Sequence, residues 1–205
     1  MREDTTNLLK YMVTGGFGFG IGGIVFFELG KLYRELYSEY NGELIFMPVL
    51  FVGMFIIFGM ICGVSLGIVS KNIKKMLYLA LLGAVGLPIG LFISFGFLYI
   101  VLLITYYLQS FALPIIICFG LGGIITGAFF GIAVRRVLRL AIAGGLGYLI
   151  GVFSVIAIFS DMPSTIGFNY VTSFTFFNAI AGIFLGAGMY LAEKPPTNSK
   201  EEMSE

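Results

Sequence analysis

Apolar residues run along this chain in stretches far longer than a water-soluble helix needs, and charge interrupts them at only a few places. Met76 to Val134 contains no charged residue over 59 positions. A helix crosses the hydrocarbon core of a bilayer with about 20 apolar residues. That run is therefore two crossings with a turn between them, marked by Tyr106-Tyr107-Leu108-Gln109-Ser110 and then Pro114. The same pattern places helices at about 9–29, 45–69, 76–105, 112–134, 137–160 and 169–191, with Asp161-Met162-Pro163-Ser164 breaking the last pair. Between the first two, Glu28 to Tyr40 reads as a short interfacial helix on the outer leaflet. Glu28 and Lys31, and Lys31 and Glu35, are spaced for same-face ion pairs, and Leu29, Leu32, Tyr33 and Leu36 form an apolar stripe.

The apolar pattern repeats. Lys74–Phe92 aligns with Arg135–Phe153, with Leu77, Leu79, Ala80, Gly83, Gly86, Ile89, Gly90 and Phe92 each finding an identical partner. The first helix joins this alignment: Leu9, Gly15, Gly18, Ile21 and Gly22 correspond to Leu77, Gly83, Gly86, Ile89 and Gly90, and to Leu138, Gly144, Gly147, Ile150 and Gly151. The even-numbered helices carry small residues every fourth position: Gly59, Gly63 and Gly67, then Gly123, Gly127 and Gly131, then Asn178, Gly182 and Gly186. The fold predicted is an all-α membrane protein, six transmembrane helices forming three parallel tandem hairpin repeats in a pseudo-three-fold bundle. The repeats cover about 8–72, 73–136 and 137–192 of a single membrane domain, and 193–205 reads as a disordered cytoplasmic tail.

Spacings of three, four and seven put each glycine set on one face of its helix. Lipid tails are as apolar as leucine, so helices inside a bilayer associate through close backbone packing, which glycine permits. The seventeen stripe glycines are therefore expected to be helix-packing positions. The alternatives are room for a solute or lipid tail, or a homo-oligomer face, and spacing alone does not say which stripe faces inward. In the third copy Asn178 takes a glycine position, where an interhelical hydrogen bond is expected. Asn178 and Thr126 are also candidate polar contacts for a solute. Thr14, Ser65, Ser94, Thr126 and Ser154 are expected to bond back to their own helix carbonyls. Pro88 stands where the sister copies have Gly20 and Leu149 and predicts a kink.

Basic residues orient the helices. Arg2, Lys10, Lys71, Lys74, Lys75, Arg135, Arg136, Arg139, Lys194 and Lys200 fall on one side, and only Lys31 and Arg34 on the other. By the positive-inside rule both termini are cytoplasmic, in a cell membrane. Met1 to Lys10 mixes Arg2 with Glu3 and Asp4, so the first segment reads as a retained helix, not a cleaved signal.

Composition agrees and removes chemistry. Hydrophobic residues are 59% and charged residues 11%, against about 25% charged in soluble domains, and mean hydropathy is +1.01. A net charge of +1 argues against nucleic acid as a partner. With no histidine, and with Cys62 and Cys118 isolated in apolar runs, neither a metal site nor any other cofactor is expected. Every charged residue can be placed at a membrane end or in a loop, which leaves no buried carboxylate for proton coupling. Gly16-Phe-Gly18-Phe-Gly20-Ile-Gly22 resembles the alternating glycines of rotary ATPase proteolipids. Those hairpins need a carboxylate in the second helix, where Gly59–Gly67 offers only Cys62 and Ser65. No catalytic motif is present, so the chain is not expected to be an enzyme.

Copies two and three show a basic pair, then after one more residue L-x-L-A-x-x-G-x-x-G-x-x-I-G, and in copy two a second helix with glycine every fourth residue follows. This plan resembles prokaryotic multi-pass membrane proteins with tandem glycine-rich hairpins and no assigned activity. The first copy departs from it by lacking the basic pair and the alanine. The resemblance implies a packing style and transfers no site residue. Two function classes follow: a structural or accessory membrane protein, partnered by the bilayer and by a membrane protein or a second copy, and a passive channel or carrier for a small or apolar solute.

Overall fold

A computed structural model describes residues 2–39, 46–105, 112–159 and 170–194. The described chain is all-helical: α1 (Arg2–Glu39), α2 (Phe46–Ile68), α3 (Ile73–Thr105), α4 (Ala112–Ala133), α5 (Val137–Phe159) and α6 (Tyr170–Glu193). All six are long and apolar enough to cross a membrane. Their outer faces carry large apolar side chains, among them Phe17, Ile73 and Leu138, each at least 70% exposed. Only lipid can cover such a surface without cost, so the chain is a multi-pass membrane protein.

Sequential helices pack side by side, and α6 returns to α1, closing a ring. The most extensive pairings are α1 with α6, α4 with α5 and α2 with α3; pairings within a hairpin, α1–α2, α3–α4 and α5–α6, are looser. Each even helix therefore leans harder on the odd helix that follows it than on its own hairpin partner.

Five helices lie close to their expected bounds, and α1 does not. It is one uninterrupted helix of 38 residues, about 57 Å at 1.5 Å per residue. Within the segment expected to lie flat on the leaflet, Glu28 to Glu39 instead continue α1. The Glu28–Lys31 pair does form, at 2.6 Å. The helix α3 runs unbroken through Pro88. The expected turn at 106–110, the break at 161–164 and positions 195–205 of the expected tail lie outside the described residues. Glu193 and Lys194, placed at the start of that tail, instead enter ion pairs, and Glu193 closes α6.

The two short turns at the basic end are built alike. Lys71 and Arg135, which align in the repeat, both take left-handed backbone (φ 51° and 57°) just past the ends of α2 and α4, the conformation that ends many helices. Arg136 N–H then reaches back to the Gly131 carbonyl at 2.9 Å. In the first turn the Asn72 side chain caps α3 by accepting from Lys75 N–H at 3.2 Å.

The ring has a filled centre. Positions that align between copies are buried: Phe19, Leu87 and Tyr148 from the odd helices, and Cys62, Thr126 and Ala181 with Leu66, Phe130 and Leu185 from the even ones, with Tyr148 and Ala181 in a second apolar cluster beside the main one. Toward the end opposite the basic turns the core becomes aromatic, with Phe26 centred 4.6 Å from Phe55 and 5.3 Å from Phe174.

Candidate functional site: glycine seams and the basic end

Each stripe glycine faces a particular neighbour. A Cβ at Gly59 would overlap the Gly83 carbonyl, and one at Gly83 would overlap Gly59; Gly123 and Gly144 stand in the same relation. One turn on, Gly63 meets the Leu79 carbonyl and Gly127 the Leu140 carbonyl; a turn further, Gly67 meets Met76 Cα and Gly131 meets Val137 Cα, both at 2.5 Å from an added Cβ. The even stripes thus lie against the following odd helix. The odd stripes split. Gly15, Gly83 and Gly144 face the preceding even helix, while Gly18 and Gly22 face Ser65 and Phe58, Gly86 and Gly90 face Phe129 and Thr126, and Gly147 and Gly151 face Phe184 and Phe177 across their own hairpins.

The α6–α1 seam departs from the expected register. There Gly182 meets Gly15, as Gly59 meets Gly83, and Gly186 meets the Tyr11 carbonyl, as Gly63 meets Leu79. The sequence alignment pairs Asn178, not Gly182, with Gly59. The closing seam is therefore offset by one helical turn, about 6 Å, while the α5–α6 contacts keep the aligned register: Gly147 meets Phe184 as Gly86 meets Phe129. The physical reason is size. An added Cβ alone overlaps backbone at the Gly15 site, so an asparagine side chain cannot occupy it, and sliding α6 by one turn brings Gly182 there. Asn178 is buried, and its Nδ2 donates to the Phe174 carbonyl of its own helix at 2.7 Å instead of making the interhelical bond expected of it.

The other buried polar side chains are Ser65, Ser94 and Thr126. Ser65 Oγ donates to the Cys62 carbonyl at 2.7 Å and Ser94 Oγ to the Gly90 carbonyl at 2.6 Å. These hydroxyls are satisfied within their own helices. Thr126 faces Gly90 across the α3–α4 contact. Cys62 and Cys118 are buried free thiols. Thr175 Oγ1, in the α1–α6 seam beside Gly23, is buried with no hydrogen-bond partner among the described residues. Its partly buried residue gave no signal in the sequence.

Charge gathers at the end of the short turns. Glu193, closing α6, pairs with Lys75 at 2.6 Å and accepts from Tyr11 Oη at 3.0 Å, tying three helices together. Beside it Asp4 accepts from Tyr190 Oη at 2.9 Å and pairs with Lys194 at 3.2 Å. Arg139 Nη1 donates to the Leu191 carbonyl at 2.9 Å, satisfying one of the orphan groups at the end of α6. None of these partners could be named from sequence, because the contacts span from 52 to 190 residues and carry no local spacing signal.

No protein-family model, curated protein or solved structure matches the chain.

Proposed function

We propose that this is a structural or accessory subunit of a cell-membrane assembly, a solid six-helix scaffold without catalytic or ion-coupling activity of its own. The observation that supports this most is the filled centre. At three sets of aligned positions the side chains of all three hairpins are buried, most of them in two apolar clusters, and among the described residues no buried side chain is charged. Ion-coupled machines need charge or water there. The paired seams support a reading as three parallel tandem hairpins around a pseudo-three-fold axis, closed with a one-turn slip between α6 and α1, with the stripe glycines as packing positions. The excess of basic residues at the short turns supports cytoplasmic termini.

The competing reading, a passive path for a solute along the axis, would need room where Phe19, Phe130 and Leu185 sit fully buried. Cysteine scanning separates the two. With Thr126→Cys, Ser154→Cys and Asn178→Cys, the scaffold reading expects no labelling of the first and third by a water-soluble maleimide; labelling from both sides would favour the path. Copurification from native membranes under mild detergent tests the partner: a stoichiometric second protein is expected, and a chain that runs alone at every detergent strength counts against an accessory role.

A further inference from the structure

A groove lies between α5 and α6 at the basic end. It encloses about 650 Å³. Arg136, Arg139 and Lys194 stand at its mouth, and Ala143, Ala187 and Gly188 form part of its floor. Ala143 aligns with Leu82 and Thr14, and Ala187 with Ile132 and Ile68, so this copy is smaller than both sisters at two places; Arg139 aligns with Tyr78 and Lys10. At Gly188 the helices come so close that an added Cβ would lie 2.5 Å from Ala143 Cβ.

From this geometry we infer that the α5–α6 groove is a binding site for an anionic glycerophospholipid, with the phosphate at Arg136, Arg139 and Lys194 and an acyl chain along the small-residue floor. Arg136 is exposed and enters no ion pair among the described residues. Arg139 spends one of its five N–H donors on Leu191 and keeps the rest for an anion. Lys194 is shared with Asp4, so the mouth stays net positive. Leu138, Ile142 and Leu146 beside the groove are 73%, 54% and 47% exposed, so the floor is continuous with the lipid-facing surface. A free phosphate would meet the cations and leave that floor uncovered. A phospholipid satisfies both, and basic pockets between helices at a membrane face are known headgroup sites.

The test is thermal melting of the purified full chain in detergent with added phosphatidylglycerol, phosphatidylcholine or soluble glycerol phosphate. Phosphatidylglycerol is expected to raise Tm and the other two are not. Arg136→Gln should remove more than half of that rise. Ala187→Ile, which restores the bulk of the sister helices, should do the same without changing Tm in phosphatidylcholine; if it lowers that baseline, the exposed Arg136→Gln alone decides. An equal rise with phosphatidylcholine, a rise reproduced by glycerol phosphate, or a full rise retained by Arg136→Gln would overturn the assignment.

Discussion

Gly59→Ala adds one methyl group and separates two explanations of the glycine content. An alanine Cβ there would lie 2.6 Å from the Gly83 carbonyl carbon and 3.1 Å from Ala84 N, where ordinary contact begins at 3.4 Å, and it would overlap the carbonyl oxygen outright. Everything it meets is backbone, so no side chain can swing away; α2 and α3 must part by roughly 1 Å, enough to forfeit a quarter to a half of the attraction between the facing atoms. Overpacking of this kind costs about 1–3 kcal/mol, and the rigid obstacle puts Gly59→Ala in the upper half of that range. Gly53 lies six residues earlier on the same helix with nothing within 4 Å of an added Cβ. Gly53→Ala should be neutral or stabilising by up to about 1 kcal/mol, the difference in helix propensity. The two variants thus move stability in opposite directions for the same chemical change. Equilibrium unfolding of the full chain by SDS titration in micelles, followed by far-UV circular dichroism, measures both. If Gly59→Ala unfolds at the same SDS fraction as Gly53→Ala, close backbone packing is not what holds the seam.

Thr175→Val removes the buried hydroxyl that lacks a partner among the described residues and keeps the shape, so it should raise stability by about 1 kcal/mol in the same titration; a loss would mean that the hydroxyl is satisfied in the membrane. Lys75→Met breaks the partly buried pair with Glu193 and should cost about 0.5–1 kcal/mol at low salt, with the gap from wild type narrowing at high salt through screening. Gly20→Ala places a Cβ in ordinary contact with Ala179 Cβ at 3.6 Å and Thr175 Cγ2 at 3.9 Å. It should leave stability unchanged or raise it by up to about 1 kcal/mol in the same titration, in contrast to its stripe neighbour Gly18, where an added Cβ would overlap Ser65.

Helix number and most helix bounds were legible because hydrocarbon thickness sets a length and leaves little choice of secondary structure. The stripe residues were legible because their spacing puts them on one face. Their partners were not. A row of glycines marks where a backbone can approach but not which backbone, and the even rows here face the next hairpin, not their own. The Asn178 register illustrates the same limit. Alignment placed it with Gly59 and Gly123, and only the steric demand at Gly15 shifts α6 by a turn and hands that contact to Gly182. The length of α1 escaped because Glu28 to Tyr40 is amphipathic enough to lie on a surface, and nothing local distinguishes that from a coaxial extension. The small floor of the α5–α6 groove was visible in the sequence, as the two places, Ala143 and Ala187, where the last copy is smaller than both sisters. It acquires meaning only once Arg136, Arg139 and Lys194 are seen to share its mouth.

The central claim is that the bundle interior is solid, and native Cys62 reports on it directly, being fully buried at the level of Thr126 and Ala181. In a Cys118→Ala background, sealed vesicles are exposed to a membrane-impermeant maleimide from each side in turn and then dissolved in SDS. A solid scaffold predicts no reaction at Cys62 from either side and complete reaction after SDS. Labelling of the native protein from both sides would place water at the centre of the ring and contradict the account.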